Sequence, residues 1–420
     1  MGERGHVTVI GAGVVGVATA LCLVRDGFDV TVIDRDGPGE NCSFGNAGMI
    51  CDSTSAMPLP SSQIVRDLPR MLTDRRSSLH IRWSYLPALM PWLLVFMKSA
   101  RTRQRLHNAR AFYALLDGAV ASWERLVDGT QGAALIRKRG LAIVYETERG
   151  FASAAADRAT LREFGAELTE LDGAEVRQSE PRLSDAVTAA TFLPKINHTV
   201  NPYRLTRAVA DSVVAAGGAV ETATVTGIEV NDGRVRMLRT TAGDRRVDRL
   251  VVSAGAWSGR LAKMLGIRVL LDTERGYHTV FHGTDSGLRL PLIHGEQGFG
   301  MNQMDEGLRI AGSVELAGID APADYRRADI LAERGRDILR DFKPEPSTKI
   351  TRWMGRRPTL PDYLPALGKV TGLDNTWFNF GHQHLGLTLA ARSGEVMANL
   401  VAGRDPGLDL GAFRPDRFHR

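Results

Sequence analysis

The stretch HVTVIGAGVVGVATALCLVR, which begins at His6, constrains this chain more than any other. An apolar run leads at once into Gly11-Ala12-Gly13-Val14-Val15-Gly16, and a helix-spaced segment follows. With the run FDVTVID, ending at Asp34, this predicts one βαβ unit built to hold a dinucleotide. Each glycine answers a separate physical demand. The first permits the tight turn, the second lets a pyrophosphate reach the backbone, and the third lets helix and strand pack closely. Free amides and the dipole at the helix N-terminus hold the phosphate charge. Asp34 stands about 20 residues on, where a carboxylate accepts both ribose hydroxyls and repels a 2′-phosphate. The expected cofactor contacts are therefore Gly11, Ala12, Gly13, Val14, Val15, Gly16, Asp34 and the adjoining Arg35.

This fingerprint serves NAD and FAD alike, so the choice rests on two later segments. CSFGNAGMI, residues 42–50, is a small-residue turn rich in backbone amides, placed just after the ribose-binding strand. FGHQHLGLTLA, residues 380–390, is a second strand-turn-helix. Reduced flavin carries negative charge at its pyrimidine edge, and a helix N-terminus aimed there stabilises it. An NAD enzyme has no use for this second nest, so FAD is the expected cofactor.

A chain of 420 residues is long for one compact core. The expected fold class is α/β, with two domains. A discontinuous Rossmann-type FAD-binding domain spans residues 1–80, 198–265 and 350–420. A second, α+β substrate domain on a mixed or antiparallel sheet spans 81–197 and 266–349. Helical patterns run over 66–128, broken by Pro69, Pro87 and Pro91, and again over 151–181. AVETATVTGIEV reads as one strand, residues 268–316 as sheet, 328–342 as helix and GRRPTLPDYLP as a loop.

Lys and Arg are scattered at a net charge of +5, which argues against a nucleic-acid partner. Cys22, Cys42 and Cys51 have neither CxxC spacing nor a disulfide pattern, so a reducing cytoplasm is expected. The N-terminus lacks the order of a signal peptide. Residues 85–97, YLPALMPWLLVFM, fall short of the ~20 residues a spanning helix needs. They read as a buried or lid helix, or as one lying on the inner face of the cell membrane.

The segments VIGAGVVGVATA…VTVID, SFGNAGMI, VVSAGAWS, ERGYH, WMGRRPTLPD and FGHQHLGLTLA occur in one order along nearly the whole chain. In this the sequence resembles the glycine oxidase and D-amino acid oxidase superfamily of flavoproteins, and within it the bacterial D-amino acid dehydrogenase branch. The resemblance implies that Val225 contacts adenine through its backbone and that Ser43, Asn46, Ala47 and Gly48 border the pyrophosphate and flavin. Ala254 and Gly255 would pass near the cofactor, and Gly381, His382, Leu385, Gly386, Leu387 and Thr388 would cradle the flavin ring. Relatives that bond flavin covalently use a late cysteine or a histidine near the first glycine turn. This chain has no cysteine after Cys51 and no histidine from Val7 to Leu79, so non-covalent FAD is implied.

An amino acid substrate must be held by its carboxylate with the Cα hydrogen toward the flavin. An arginine fork suits that best. The resemblance assigns this to Arg357, with Arg275 as a rival and Arg356 pointing elsewhere if the segment is extended. It also places Tyr277 and His278 at the substrate, and His384 at the flavin or the amine. His198 has no assigned role. The HxH pair His382/His384 lacks a third ligand nearby in sequence, so no metal is expected. No Ser-His-Asp order or carboxylate pair demands a dedicated base, and loss of the amine proton plus positioning suffices for hydride departure. The expected reaction is oxidative deamination of a D-amino acid to a 2-oxo acid and ammonia, with electrons passing to a quinone or respiratory carrier. Three other readings stay open: a D-proline, cis-4-hydroxy-D-proline, sarcosine or glycine-type amine oxidase, a flavoprotein subunit that needs partner chains, and an NAD enzyme.

Overall fold

The computed structural model describes residues 4–52 and 77–418. The first strand, His6–Ile10, pairs in parallel with Asp29–Asp34 on one side and Arg249–Val252 on the other. Ala219–Thr222 and Thr376–Phe380 extend this parallel sheet outward, and Ala366–Lys369 closes it antiparallel. Its strands read as apolar runs because both faces are covered. Val7, Val9, Val30, Val32 and Val251 pack with residues of the helices Val14–Arg25, Pro202–Ala215 and Gly386–Val401. Ile10, Ile33, Leu250, Val252 and Phe378 belong to a second cluster that includes Val235 and Leu238 of a hairpin strand.

AVETATVTGIEV does not form one strand. Ala219–Thr222 joins the parallel sheet, and after the buried Ala223 the chain enters Val225–Asn231, which pairs antiparallel with Arg234–Thr240. The helix Pro202–Ala215 starts as the Asn201-Pro202 dipeptide predicts. The Asn201 side chain accepts from the Arg204 amide at 3.0 Å, a cap that contributes about 1 kcal/mol.

The larger sheet is mixed. Asp272–His282 lies between Ile350–Thr359 and Gly307–Leu316, both antiparallel to it. Beyond them come Phe299–Met304 and Leu292–His294, then Leu141–Tyr145 in parallel, Ala189–Leu193 and Thr169–Asp172. Two sequence expectations change here. Residues 355–359 of the expected loop are sheet, and Pro358 is tolerated because Ile350–Thr359 is the edge strand. The stretch 151–181 is not continuously helical: Thr169–Asp172 interrupts it, and Asp172 and Glu175 then form a capping box for Gly173–Ser179. The helix expected over 328–342 runs from Arg326 to Asp337.

Of the helical stretch 66–128, the part up to residue 76 lies outside the described residues. The rest forms Leu86–Ser99, Thr102–Leu116 and Ala119–Val127. Pro87 sits in the first turn of Leu86–Ser99, where its missing N–H has no partner to lose. Pro91 lies one turn further in, and the helix continues with one bond forgone to the Pro87 carbonyl. Among the described residues no helix is long and apolar enough to cross a membrane.

Candidate cofactor and substrate site

A cavity of about 680 Å³ is lined by both sheets. From the parallel sheet come Gly11, Gly13, Val14, Val15, Asp34 and Arg35, with Ala254 and Gly255 following Arg249–Val252. Val225 also borders it.

The glycine turn matches the three demands of its spacing. Gly11 has φ +110°, and a Cβ there would sit 2.4 Å from the Ser253 carbonyl oxygen. A Cβ on Gly16 would lie 1.8 Å from the Gly11 oxygen, so Gly16 serves turn-to-helix packing and does not line the cavity. A Cβ on Gly13 would meet only Ser43 Oγ, at 3.5 Å; this glycine leaves room on the cavity side. Asp34 accepts from the Ala12 amide at 2.7 Å and the Asp36 amide at 2.9 Å, which ties the acid to the turn. Ser43 Oγ accepts from the Val14 amide at 2.9 Å, satisfying one free donor of the helix start.

The loop after Ser43 is held from behind through five consecutive carbonyls. Arg309 donates to Phe44 O at 3.1 Å and to Asn46 O at 2.7 Å, and His278 Nδ1 donates to Gly45 O at 3.1 Å. Asn302 donates to Ala47 O at 3.2 Å, and the Thr199 amide to Gly48 O at 2.7 Å. Ser43, Asn46 and Ala47 line the cavity in front of this clamp, whereas Gly48 is packed against Thr199, Met304 and Asn302.

The C-terminal turn forms the opposite wall. Gly381 (φ +89°) and Gln383 (φ +51°) bend the chain out of Thr376–Phe380 into the helix Gly386–Val401. His382, His384, Leu385, Gly386 and Leu387 line the cavity. Thr388 does not: its hydroxyl accepts from the Cys51 amide at 3.2 Å and donates to Met49 O at 3.3 Å. Four buried polar atoms on cavity-lining residues lack partners among the described residues, namely Ser253 Oγ, Asn379 Oδ1, His382 Nε2 and Gln383 Oε1. Such atoms cost about 1–3 kcal/mol each when left bare, so a polar group belongs against them.

The strands Asp272–His282 and Ile350–Thr359 supply a further wall of the cavity. Their register sets Glu274 opposite Arg357, Gly276 opposite Gly355, and His278 opposite Trp353. A Cβ on Gly276 would lie 2.1 Å from Arg357 Nη2, and one on Gly355 would lie 2.0 Å from the Trp353 ring. The two facing glycines thus make a flat floor on which the guanidinium and indole lie. Arg357 Nη1 donates to Ser313 O at 2.9 Å, and the residue lines the cavity. His384 is bare to the cavity yet enclosed by protein. Burial, with help from the Arg357 cation, lowers its imidazole to about 4.

Several expected roles change. Arg275 is structural: it donates to the carbonyls of Gly318, Ala321 and Pro322 and lies 3.5 Å from Glu315. The Tyr277 hydroxyl is committed to Glu315 and to the Asp324 amide, although the residue borders the cavity. His278 does not line the cavity. It stacks on Trp353 with ring centroids 5.0 Å apart and clamps Gly45, and burial lowers it to about 3. Arg356, expected to point elsewhere, donates to Ile319 O at 2.6 Å but borders the same cavity as Arg357. His198 lies outside this cavity. Sequence reasoning missed Trp353, Arg309 and the Gly276/Gly355 floor, because only the strand register reveals them.

Glu146, His294 and Glu296 bring potential metal-ligand atoms within 4.8 Å of one another. The Gln297 amide donates to His294 Nδ1 at 3.3 Å, so the neutral ring carries its proton on Nε2, 3.1 Å from Glu146. His294 Nε2 and Glu146 thus meet at ion-pair distance, and Glu296 accepts from the Glu146 and Thr147 amides and the Thr147 hydroxyl.

A dinucleotide turn on a parallel sheet, facing an arginine on a mixed sheet across one cavity, defines a two-sheet nucleotide-dependent oxidoreductase. Residues 6–400 match the family of FAD dependent oxidoreductases (DAO), and the chain belongs to that family. The D-amino-acid oxidase of Bradyrhizobium diazoefficiens is 33% identical over 426 residues, covering all of both chains. The D-amino acid dehydrogenase of Phenylobacterium zucineum is 31% identical over 414 residues, covering 96% of this chain and 95% of that one. Among solved structures, glycine oxidase from Geobacillus kaustophilus superposes with a TM-score of 0.72 at 22% identity, covering 98% of each chain. L-proline dehydrogenase from P. horikoshii gives 0.74 at 19% identity, covering all of this chain and 98% of that one; these two likenesses concern the fold. The cofactor is FAD, and the bare polar atoms and the room beside Gly13 fit it.

Proposed function

We propose that this enzyme oxidises the Cα–N bond of a D-amino acid, and that water then converts the imine to a 2-oxo acid and ammonia. The observation that carries this reading is Arg357. It is a guanidinium on a glycine floor, inside the cavity that holds the dinucleotide turn. Its fork binds the substrate carboxylate in two parallel bonds and fixes the Cα hydrogen toward the cofactor. Bound FAD supplies the two-electron acceptor. His384 is neutral at physiological pH and beside Arg357, so it accepts a hydrogen bond from the amine without competing for its charge. The relatives named D-amino-acid oxidase and D-amino acid dehydrogenase support the substrate class. The cofactor contacts expected from the sequence and a division into a cofactor domain and a substrate domain are part of the same reading.

The test is anaerobic bleaching of the flavin absorbance by D-amino acids, D-proline, cis-4-hydroxy-D-proline, glycine and sarcosine, with L-enantiomers as controls. Bleaching by primary D-amino acids is the expected result. Bleaching by the cyclic or N-methyl substrates alone would replace the primary amine with a secondary one. Reduction by none of them would favour a subunit that needs partner chains.

We further propose that the electrons go to a quinone or respiratory carrier at the membrane surface. The helix Leu86–Ser99 supports this. Its inner face packs Trp92 and Phe96 onto the substrate strand and Tyr363, while Met90, Leu94 and Met97 line up outward with Trp83, which is 63% exposed. Residues 77–116 contain no acid, and Arg82, Lys98, Arg101 and Arg103 are exposed around that stripe. An apolar stripe with a basic collar suits an anionic lipid surface. Co-sedimentation with anionic vesicles, lost on Leu94→Glu, is expected. Full solubility with vesicles together with fast turnover on oxygen alone would overturn it.

A further inference from the structure

A second cavity, of about 250 Å³, shares no lining residue with the first. We propose that it is a binding site for a small oxyanion, a phosphate or a short carboxylate. His198, Arg137, Arg139 and Arg289 supply its donors. His198 is 4% exposed, and its buried Nδ1 has no hydrogen-bond partner among the described residues. A ring nitrogen left bare in that way costs about 1–3 kcal/mol, which a ligand in the cavity recovers.

Among the described residues none of the three guanidiniums is in an ion pair. Arg137 donates to the carbonyls of Ala134 (2.6 Å) and Ile136 (3.1 Å), Arg139 to that of Arg289 (3.4 Å), and Arg289 to that of Ser179 (3.4 Å). Each keeps further N–H groups, and guanidinium forks match the oxygens of a carboxylate or phosphate. Two acids are near. Asp305 lines the cavity, but Arg204 and Asn201 hold its carboxylate at 2.5 and 2.8 Å. Glu180 accepts from the Arg289 amide through both oxygens, at 3.0 and 3.1 Å, and burial pushes it up to about 7. The amide groups offer less. Asn302 already donates to Ala47 O, and Gln303 bonds Ser286 and Thr284. Burial and then the Arg139 and Arg137 cations lower His198 to about 4. A bound anion relieves that repulsion.

The volume lies below the ~300–1,000 Å³ of sites for larger ligands, so the occupant is compact. His198 pairs across the strand with Met49, and Asn302 and Thr199 hold the carbonyls of Ala47 and Gly48. The anion therefore rests against the rear of the loop whose front lines the cofactor cavity.

The test is calorimetric titration of the FAD-loaded protein with inorganic phosphate and, separately, with pyruvate, at constant ionic strength in chloride. Saturable binding of at least one probe is expected. It should weaken about tenfold or more, roughly 1.4 kcal/mol, in the Arg139→Ala/Arg289→Ala double variant and persist in Arg357→Ala. Arg139 and Arg289 are exposed, so the fold tolerates their loss. Which probe binds distinguishes a phosphate from a carboxylate source. Three results would overturn the proposal: no saturable binding of either probe, binding unchanged in the double variant, or binding that disappears with Arg357→Ala and so belongs to the substrate cavity.

Discussion

Glu274 and Arg357 stand directly opposite each other on adjacent antiparallel strands, Glu274 buried and Arg357 lining the cavity that holds the dinucleotide turn. The Tyr363 hydroxyl donates to Glu274. Burial raises the Glu274 carboxyl, while Tyr363 and the Arg357 charge act against that rise. Arg357 is thus anchored by its bond to Ser313 O and sits within the field of the Glu274 charge. In its proposed role Arg357 makes two charge-assisted bonds to the substrate, so its replacement with alanine, a loss of about 3 kcal/mol, is expected to lower kcat/KM about 10²-fold. Arg357→Lys keeps the charge but loses the fork and should recover only part of that. Glu274 is a positioning residue, so Glu274→Gln should raise KM more than it lowers kcat. Steady-state kinetics on flavin-loaded variants checks all three.

The glycine floor gives a steric prediction. Gly276→Ala drives a methyl into the space of the Arg357 guanidinium, and Gly355→Ala does the same to Trp353. Both variants should bind FAD with unaltered stoichiometry and show raised KM, read by flavin absorbance alongside turnover.

Asp34 holds the glycine turn through the Ala12 amide and faces the cofactor cavity. Asp34→Ala should weaken FAD retention by about 1.5–3 kcal/mol, roughly tenfold to a hundredfold. Flavin released on dilution or dialysis measures it. Retention equal to the parent would remove Asp34 from the cofactor site.

Glu180 makes stability depend on pH. Its folded pKa is raised to about 7, chiefly by burial, against the usual 4.5. Between these values the folded state binds more protons than the unfolded one, so stability falls as pH rises through this window. The loss is up to roughly 3 kcal/mol and levels off above about pH 7. Glu180→Gln should flatten that decline. Melting temperatures measured from pH 4.5 to 8 test the sign, and a parent that gains stability across the window would contradict it.

The parallel sheet, its glycine turn and Asp34 were legible in the sequence because each rests on neighbours close along the chain. A turn that needs φ +110° at Gly11, a helix start three residues on and an acid ending the next strand leave local marks. The last helix and the Gly381 turn were legible for the same reason. The strand carrying Arg357 was not. Gly, Arg and Pro read as loop, and only an edge position makes Pro358 acceptable in a strand.

By itself the sequence determined the cofactor fold, the small-residue turns and the presence of an arginine in the GRRP segment. Tertiary structure alone decided which side chains meet. Strand register set Arg357 over Gly276, turned the Tyr277 hydroxyl to Glu315, and made His278 a clamp on Gly45. The five carbonyls of residues 44–48 are held by Arg309, His278, Asn302 and Thr199 from remote parts of the chain. Such contacts follow from how two sheets pack and from buried polar groups finding partners, neither of which leaves a local pattern in sequence.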